Sequence, residues 1–221
     1  MNTLRYDVVM FDLDGTLIDT MGDFADIAAD EMARAHGYDF AHARRRYLET
    51  SGIPFRQQLE VIAPGDPRNQ GVSDRFEQRK IDASNAAMMD EGTVAGLRAL
   101  LAAGVRLVVS SSSAQHHVDH FAERSQRAFP QLSFALALGF GHGLAKGAPH
   151  VTRVLEALAV VRERLLFVGD SIKDGDIARE MQIAFIGRTG TFSRDEILAR
   201  HPDAAVIETI EELAAHVVVS A

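Results

Sequence analysis

The chain of 221 residues contains no cysteine, which excludes disulfide bonds, thiol catalysis and thiolate metal sites. Positive charge is also scarce, because 23 Lys and Arg residues stand against 31 Asp and Glu residues and leave a formal net charge of −8. A net-negative chain has no general attraction for nucleic-acid backbones or anionic lipid. We therefore expect no nucleic-acid partner and no membrane partner.

Long apolar stretches are absent as well. The longest segment without Asp, Glu, Lys or Arg ends at Ala145, is interrupted by Pro130, and falls short of the roughly 20 apolar residues that cross a bilayer. The first ten residues include Arg5 and Asp7 and lack the apolar stretch of a signal peptide. These features predict a soluble, cytoplasmic protein.

Short apolar runs alternate with helical patterns over most of the chain. Continuous apolarity is typical of strands that are covered on both faces of a parallel sheet. Such runs occupy residues 8–11, 105–109, 134–138, 165–168 and 183–186. The length suits one large domain, or one core with a smaller insertion. The alternation predicts an α/β fold with a doubly wound, Rossmann-like parallel sheet.

The segment between the first and second apolar runs shows only helical signals. Apolar residues recur at helical spacing from Met21 to Gly37 and from Phe40 to Leu48, and Pro54 opens a third helix. A fourth helix is predicted over residues 73–89. We therefore predict a core of residues 1–19 and 92–221, and a helical cap of residues 20–91 over the carboxyl edge of the sheet.

Pairs of aspartates follow two of the predicted strands. Asp12 and Asp14 come after the first strand, and Asp170 and Asp174 come after residues 165–168. Residues i and i+2 of a strand share a side, and parallel strands end at one edge, where α/β folds bind ligands. Four carboxylates could therefore converge. Because buried like charges require a compensating cation, and oxygen donors favour Mg²⁺, we expect a magnesium site.

Each aspartate pair also has a purely structural interpretation. Asp12 or Asp14 could be an ordinary turn residue before Gly15, and Asp170 and Asp174 could cap the helix that follows them. The presence of both pairs at matching strand ends favours a functional cluster.

An anion site is predicted after the second strand. Four consecutive serines, residues 110–113, precede a helical pattern, and hydroxyls with free amides at a helix N-terminus bind phosphate well. Ser110 and Ser111 are the candidates, although one serine could equally serve as a helix cap. Lys146, which would otherwise be an exposed loop residue, is the candidate positive partner of the carboxylates and the phosphate.

Four segments, in this order, resemble the motifs of the haloacid dehalogenase superfamily of phosphoryl-transfer enzymes, and the resemblance spans essentially the whole chain. The matching residues are Asp12-Leu13-Asp14-Gly15-Thr16-Leu17, Ser110, Lys146, and Gly169-Asp170 with Asp174. The helical insertion resembles the cap of the phosphoglycolate phosphatase and β-phosphoglucomutase branch, which selects the substrate.

The resemblance implies a role for each of these positions. Asp12 would be the nucleophile that becomes an aspartyl phosphate, and Asp14 would be the general acid and base. Mg²⁺ would be held by Asp12, the main-chain carbonyl of Asp14 and Asp170, with Asp174 as a ligand or support. Thr16, Ser110, Ser111 and Lys146 would contact the phosphate. The expected partner is a small phosphorylated metabolite, and the expected state is a monomer or small homo-oligomer.

Two other functions remain open. A sugar-phosphate mutase of the β-phosphoglucomutase type uses the same core and a similar cap, although Thr16 resembles the phosphatases more closely. A receiver-like signalling module also surrounds a phospho-accepting Asp with acids, but it is about half this length.

Two further residues are candidates for substrate binding. Arg56 could hold an anionic group with two hydrogen bonds, or it could be a solvated helix residue. His117, close to the serines, could touch the substrate.

Overall fold

The computed structural model describes residues 3–219 of the chain. Its strands are β1 Thr3–Leu4, β2 Val8–Phe11, β3 Arg106–Ala114, β4 Phe134–Phe140, β5 Leu165–Gly169, β6 Ala184–Arg188, β7 Ala205–Ile207 and β8 Val218–Val219. Its helices are α1 Met21–His36, α2 Phe40–Glu49, α3 Phe55–Ile62, α4 Asn69–Ala86, α5 Glu91–Ala102, α6 Gln115–Ala128, α7 Ala148–Ala157, α8 Ile172–Met181, α9 Arg194–Arg200 and α10 Leu213–Val217.

Six strands form one parallel sheet in the order β4-β3-β2-β5-β6-β7, and β1 pairs with β8 in a separate antiparallel ladder. Strand β2 lies between β3 and β5, and all four of its residues are buried. Its last residue, Phe11, is paired with Val109 of β3 and with Val168 of β5. The predicted doubly wound parallel sheet with a helical insertion is confirmed.

Helices α7 and α8 pack against the central strands. Val151 and Val154 of α7 and Ile177 of α8 join a buried apolar cluster with sheet residues such as Val8 and Phe167. Strand β7 carries no periodic signal in the sequence because it has only three residues.

The chain divides into two compact units, and Asp19–Ala87 forms one of them. Helices α1 to α4 make up this unit, and the rings of Phe24, Tyr47, Phe55 and Phe76 pack together in its core. The Phe55 and Phe76 ring centroids are 4.3 Å apart. The sheet and the other six helices belong to the second unit.

Helix α4 differs from the predicted residues 73–89, since it covers Asn69–Ala86. It begins soon after Pro67, the last helix-breaking residue of the preceding loop, which lets it bury Val72 and Asn69 in its first turn. It ends where Ala87 adopts extended backbone.

The serines also depart from the prediction that they form a helix N-terminus. Strand β3 continues through them to Ala114, and α6 begins at Gln115 without a side-chain cap. Ser110 is paired with Leu138 and Ala114 with Phe140, so three residues of β3 lie opposite one residue of β4. Residues 111–113, the serine bulge, therefore leave the regular ladder.

Within residues 3–219, no helix combines the length and the apolar character of a bilayer-spanning segment.

Candidate active site

Three buried carboxylates meet at the carboxyl edge of the central strands. Asp12, Asp170 and Asp174, the carboxylate cluster, each place an oxygen within 4.8 Å of the others. The pairing of Phe11 with Val168 brings the residues after these two strands side by side, and the Asp12 amide donates to the Val168 carbonyl at 2.9 Å. As expected for residues that follow neighbouring parallel strands, Asp12 lies beside Asp170 and Asp174.

Lys146 is a buried cation that contacts this cluster. Its Nζ lies 2.6 Å from Asp12 Oδ1 and 2.6 Å from Asp174 Oδ1, and its side chain is 4% exposed. The residue therefore lies in the site and not in solvent. Three carboxylates with one ammonium leave two negative charges when all four groups are ionised.

The pKa values of the site residues reflect this excess of negative over positive charge. Burial, followed by repulsion from Asp174 and Asp170, raises the pKa of Asp12 well above its ordinary value, although Lys146 opposes the shift. Burial and the Asp174 charge raise the pKa of Asp170 to about 6. Burial disfavours the charged form of Lys146, yet Asp12 and Asp174 raise its pKa above the usual value. Without a further cation, the folded cluster holds protons more tightly than free carboxylates do.

Asp174 caps helix α8 with one carboxylate oxygen and contacts Lys146 with the other. Its Oδ2 accepts hydrogen bonds from the Ser171 hydroxyl at 2.7 Å and the Ser171 amide at 3.2 Å, which completes the capping box of α8. Its Oδ1 faces Lys146. The cap interpretation and the cluster interpretation therefore apply to different oxygens of one carboxylate.

Asp14 departs from the expectation that four carboxylates converge. Among the described residues, its carboxylate is not part of the group that lies within 4.8 Å, and Asp14 Oδ2 accepts a hydrogen bond from the Ser113 hydroxyl at 3.0 Å. Strand β2 ends at Phe11, so strand alternation does not extend to residue 14. The structure therefore groups three of the four predicted carboxylates, and the place of Asp14 in the site stays a prediction.

The predicted phosphate-binding hydroxyls are buried and hydrogen-bonded within the protein. Thr16 Oγ1 donates to Asp170 Oδ1 at 3.2 Å. Ser110 Oγ lies 2.9 Å from the Nδ1 atom of His150, and Ser111 Oγ accepts from the Ser113 amide at 3.0 Å. None of the serines caps α6, so the cap alternative is wrong.

The two candidate substrate residues lie in different units. Arg56, in α3, donates to Glu60 and, at 3.1 Å, to Gln70 Oε1 within the helical unit. His117 lies in α6, with its ring centroid 4.0 Å from that of His116. Substrate contacts of both residues remain predictions.

Several residues of the site have no motif in the sequence. The Thr191 hydroxyl donates to Asp170 Oδ2, and Arg188 Nη1 donates to the Gly15 carbonyl at 2.6 Å. Both lie at or just after the end of β6, so the rule that parallel strands end at one edge could have identified them. The contact of His150 with Ser110 has no comparable signal.

The carboxylate cluster fits a divalent cation. All its donors are oxygens, as Mg²⁺ prefers, and two uncompensated negative charges match the charge of the ion. Burial and the Asp174 charge raise the pKa of Asp170, and a bound cation would offset that repulsion.

The sequence model of the haloacid dehalogenase-like hydrolase family matches residues 9–188, and the protein belongs to this family. The match includes the carboxylate cluster, Lys146 and the helical unit. No curated protein shows a significant match to the chain.

Solved structures share the fold over nearly the whole chain. A haloacid dehalogenase-like family hydrolase from Streptococcus pneumoniae is 18% identical, with 96% of this chain and 98% of that chain covered and a TM-score of 0.77. A predicted phosphoglycolate phosphatase from Haemophilus somnus is 19% identical, with coverage of 96% and 98% and a TM-score of 0.73. A variant of CbbY from Rhodobacter sphaeroides, in complex with xylulose-1,5-bisphosphate, is 20% identical, with coverage of 94% and 96% and a TM-score of 0.69. At these identities the likeness establishes the fold.

Proposed function

We propose that the protein is a Mg²⁺-dependent phosphatase that hydrolyses the phosphate monoester of a small metabolite. Membership of the hydrolase family supports the reaction class. The observation that carries the proposal is the position of Asp12, whose carboxylate contacts Lys146 and lies within 4.8 Å of two other buried carboxylates at one edge of the sheet. A nucleophile, a cation site and a fixed ammonium group are the parts that phosphoryl transfer requires.

The metal would be held by the carboxylate cluster and the Asp14 main-chain carbonyl. When bound, it would neutralise negative charge on the cluster and on the phosphoryl oxygens. Lys146 would neutralise further charge on those oxygens. Thr16, Ser110 and Ser111 line the proposed phosphate subsite, although Thr16 contacts Asp170 in this structure.

Asp12 and Asp14 would divide the chemistry between them. An oxygen of Asp12 attacks phosphorus, and the bond from phosphorus to the ester oxygen breaks as Asp14 gives that oxygen a proton. Asp14 then takes a proton from water, whose oxygen attacks the aspartyl phosphate, releases inorganic phosphate and restores Asp12. The hydrogen bond from Ser113 supports the idea that Asp14 is held for this task.

Substrate selection is assigned to the helical unit, Asp19–Ala87, with Arg56 as a candidate for an anionic substrate group. The ion pair of Arg56 with Glu60 and its bond to Gln70 leave part of the guanidinium for such a contact. The similarly folded CbbY variant is in complex with xylulose-1,5-bisphosphate, which supports a phosphorylated small molecule as the substrate class.

The proposal is tested by phosphate release from a panel of phosphoglycolate, sugar phosphates and nucleoside monophosphates, with Mg²⁺ and with a chelator. We expect multiple turnovers that the chelator abolishes. Isomerised sugar phosphate with little free phosphate would identify a mutase instead. A long-lived phosphorylated protein without turnover would identify a signalling module, and activity that survives metal removal would contradict the metal site.

A further inference from the structure

The chain makes two side-chain contacts with the site where β6 ends, and the proposed chemistry gives neither of them a task. Arg188, the last residue of β6, donates from Nη1 to the Gly15 carbonyl at 2.6 Å. Three residues later, the Thr191 hydroxyl donates to Asp170 Oδ2. Residues 188–191, the β6 segment, therefore contact both aspartate motifs, one through its backbone and the other through its carboxylate.

The β6 segment is itself held by backbone hydrogen bonds. Arg188 is paired with Ile207 of β7, and the Thr189 amide donates to the Ile207 carbonyl at 2.9 Å. The Gly190 amide donates to the Phe192 carbonyl at 3.3 Å. Because the sheet fixes the beginning of the segment and a local turn fixes its end, its side chains can hold other groups in place.

The Thr191 contact orients one of the proposed metal ligands. Asp170 is buried, and its other carboxylate oxygen, Oδ1, accepts from the Thr16 hydroxyl at 3.2 Å. Thr16 is assigned to the phosphate in the proposed function, so Thr191 would be the hydroxyl that stays with Asp170 when substrate binds. A carboxylate oxygen has two lone pairs, so accepting this hydrogen bond leaves Oδ2 able to bind a metal ion as well.

The Arg188 contact fixes the backbone beside the Asp14 carbonyl, a second proposed ligand. Gly15 follows Asp14 with a φ of 85°, in the left-handed region that favours glycine. The Gly15 amide donates to the Ile18 carbonyl at 2.8 Å, which orients the peptide plane that contains the Asp14 carbonyl. Arg188 holds the peptide plane on the other side of Gly15. Since glycine rotates easily, a partner on each plane keeps the Asp14 carbonyl in one direction.

We propose that the β6 segment positions two ligands of the Mg²⁺ site. Thr191 orients the Asp170 carboxylate. Arg188 orients the Asp14 carbonyl through the Gly15 peptide groups. Both are positioning residues, because they act through the ligands and contact neither the metal nor the substrate. The inference rests on the proposed function, since it takes these two oxygens to be metal ligands.

The test measures the affinity for Mg²⁺ alone, without substrate, from a titration followed by amide ¹H–¹⁵N NMR. Thr191→Val keeps the shape of the side chain and removes the hydroxyl. We expect it to raise the Mg²⁺ dissociation constant about tenfold, as for other side chains that orient a metal ligand. Thr191→Ser, which keeps the hydroxyl, should stay within about threefold of the unsubstituted protein. An unchanged dissociation constant in the Val variant, or a Ser variant as weak as the Val variant, would overturn the proposal.

Arg188→Met tests the second contact. It retains most of the apolar stem and removes the N–H donors to Gly15. We expect the Mg²⁺ dissociation constant to rise about threefold to tenfold, and less than in Thr191→Val, because the bond from Gly15 to Ile18 remains. Unchanged Mg²⁺ affinity would remove Arg188 from the proposal.

The matched control is Ser193→Ala. Ser193 lies just after the β6 segment and caps α9, and its hydroxyl donates to Glu196 Oε2 at 2.6 Å. We expect this variant to lose thermal stability while its Mg²⁺ dissociation constant changes less than about twofold. An equal loss of Mg²⁺ affinity in Ser193→Ala and Thr191→Val would show that any loosening of this part of the chain weakens binding, and would overturn the specific role of Thr191.

A further readout uses the unsubstituted protein and needs no turnover. The amide signals of Gly190 and Thr191 should shift with Mg²⁺ at the same concentrations as that of Asp170, because a metal on this carboxylate polarises its hydrogen bond from Thr191. Signals of the β6 segment that stay fixed while that of Asp170 moves would contradict the proposal. If Mg²⁺ binds but no ester is hydrolysed, the proposed function fails while these titrations still decide the role of the β6 segment. If the unsubstituted protein binds no Mg²⁺, the metal site and this role are both overturned.

Discussion

Two regions of the molecule bury acidic side chains, with opposite results. In the helical unit, buried Glu31 receives hydrogen bonds from Arg75 Nε at 2.7 Å and Arg79 Nη1 at 2.8 Å. Burial alone would raise the pKa of Glu31, but these two arginines hold it below the ordinary value. At the sheet edge, three carboxylates share one lysine, and burial raises the pKa values of Asp12 and Asp170.

The ratio of charges, and not burial as such, separates the two regions. Glu31 and its neighbour Asp30 are two carboxylates that form ion pairs with three arginines, so their negative charges are fully compensated within the helical unit. These arginines are Arg34, Arg75 and Arg79. The carboxylate cluster keeps an excess of negative charge that a bound proton or an additional cation can neutralise. The first arrangement stabilises a helical unit, and the second is typical of a site that binds a metal ion and a ligand.

Among substitutions in the two regions, Asp12→Asn in the carboxylate cluster is expected to have the largest effect. We expect phosphate release to fall at least about a thousandfold, because the amide cannot act as the nucleophile. Thermal unfolding without metal should occur at an unchanged or higher temperature, since one of three crowded negative charges is removed. Turnover close to that of the unsubstituted protein would contradict the nucleophile assignment.

Lys146→Met removes the cation that, within residues 3–219, forms ion pairs with the carboxylate cluster. We expect kcat/KM to fall about a hundredfold and the metal-free protein to lose stability, because three buried carboxylates are then unpaired. Mg²⁺ should restore much of the stability, which thermal unfolding with and without the ion would measure. Arg75→Met, which removes a cation beside Glu31, is the control and should show no such rescue by Mg²⁺.

The pH dependence of magnesium binding offers a third test. The pKa of Asp170 is about 6 in the folded protein against an ordinary 3.8, so its bound proton stabilises the metal-free fold at low pH, and this contribution is lost as pH rises towards 6. Mg²⁺ competes with that proton. We expect about 3 kcal/mol of stabilisation at pH 7.5 with Mg²⁺ at a hundred times its dissociation constant, and much less at pH 5. Equal stabilisation at both pH values, measured by thermal unfolding, would contradict the metal site.

The smallest effect is expected for Glu31→Gln in the helical unit. Losing the carboxylate removes the Glu31 ion pairs of Arg75 and Arg79, while Arg79 keeps its pair with Asp30, and this should lower the free energy of unfolding by about 1–2 kcal/mol. Because the pKa of Glu31 is lowered, its contribution to stability is present above pH 4.5 and is lost as pH falls below that value. Urea unfolding at pH 7 and pH 3.5 measures both effects, and kcat should change less than twofold. A stability that does not change on substitution would show that this cluster is not structural.

Much of the fold could be predicted from local pattern. Continuous apolar runs identified the five longer strands of the parallel sheet, since both of its faces are covered and every strand residue can be apolar. Helical spacing identified the insertion. The start of α4 was placed four residues too late, because burial of Val72 depends on packing within the helical unit.

Part of the candidate site could likewise be predicted from the sequence, and part could not. The meeting of Asp12 with Asp170 and Asp174 follows from the sequence, because parallel strands must end at one edge. The contact of the Asp14 carboxylate with Ser113 depends on where β2 stops, and the serine bulge depends on how β3 pairs with β4. Both features depend on strand pairing, which the local sequence does not specify.

The sequence by itself determined the five longer strands of the parallel sheet, the helical insertion and the edge at which the acidic residues gather, because these depend on residue type and short periodicity. Only the tertiary structure decided which atoms meet. Thr16 contacts Asp170 across 154 positions of the chain, and His150 contacts Ser110 across 40. The physical reason is that side-chain hydrogen bonds require a fit of about 3 Å, which is fixed only after the sheet and its helices have packed.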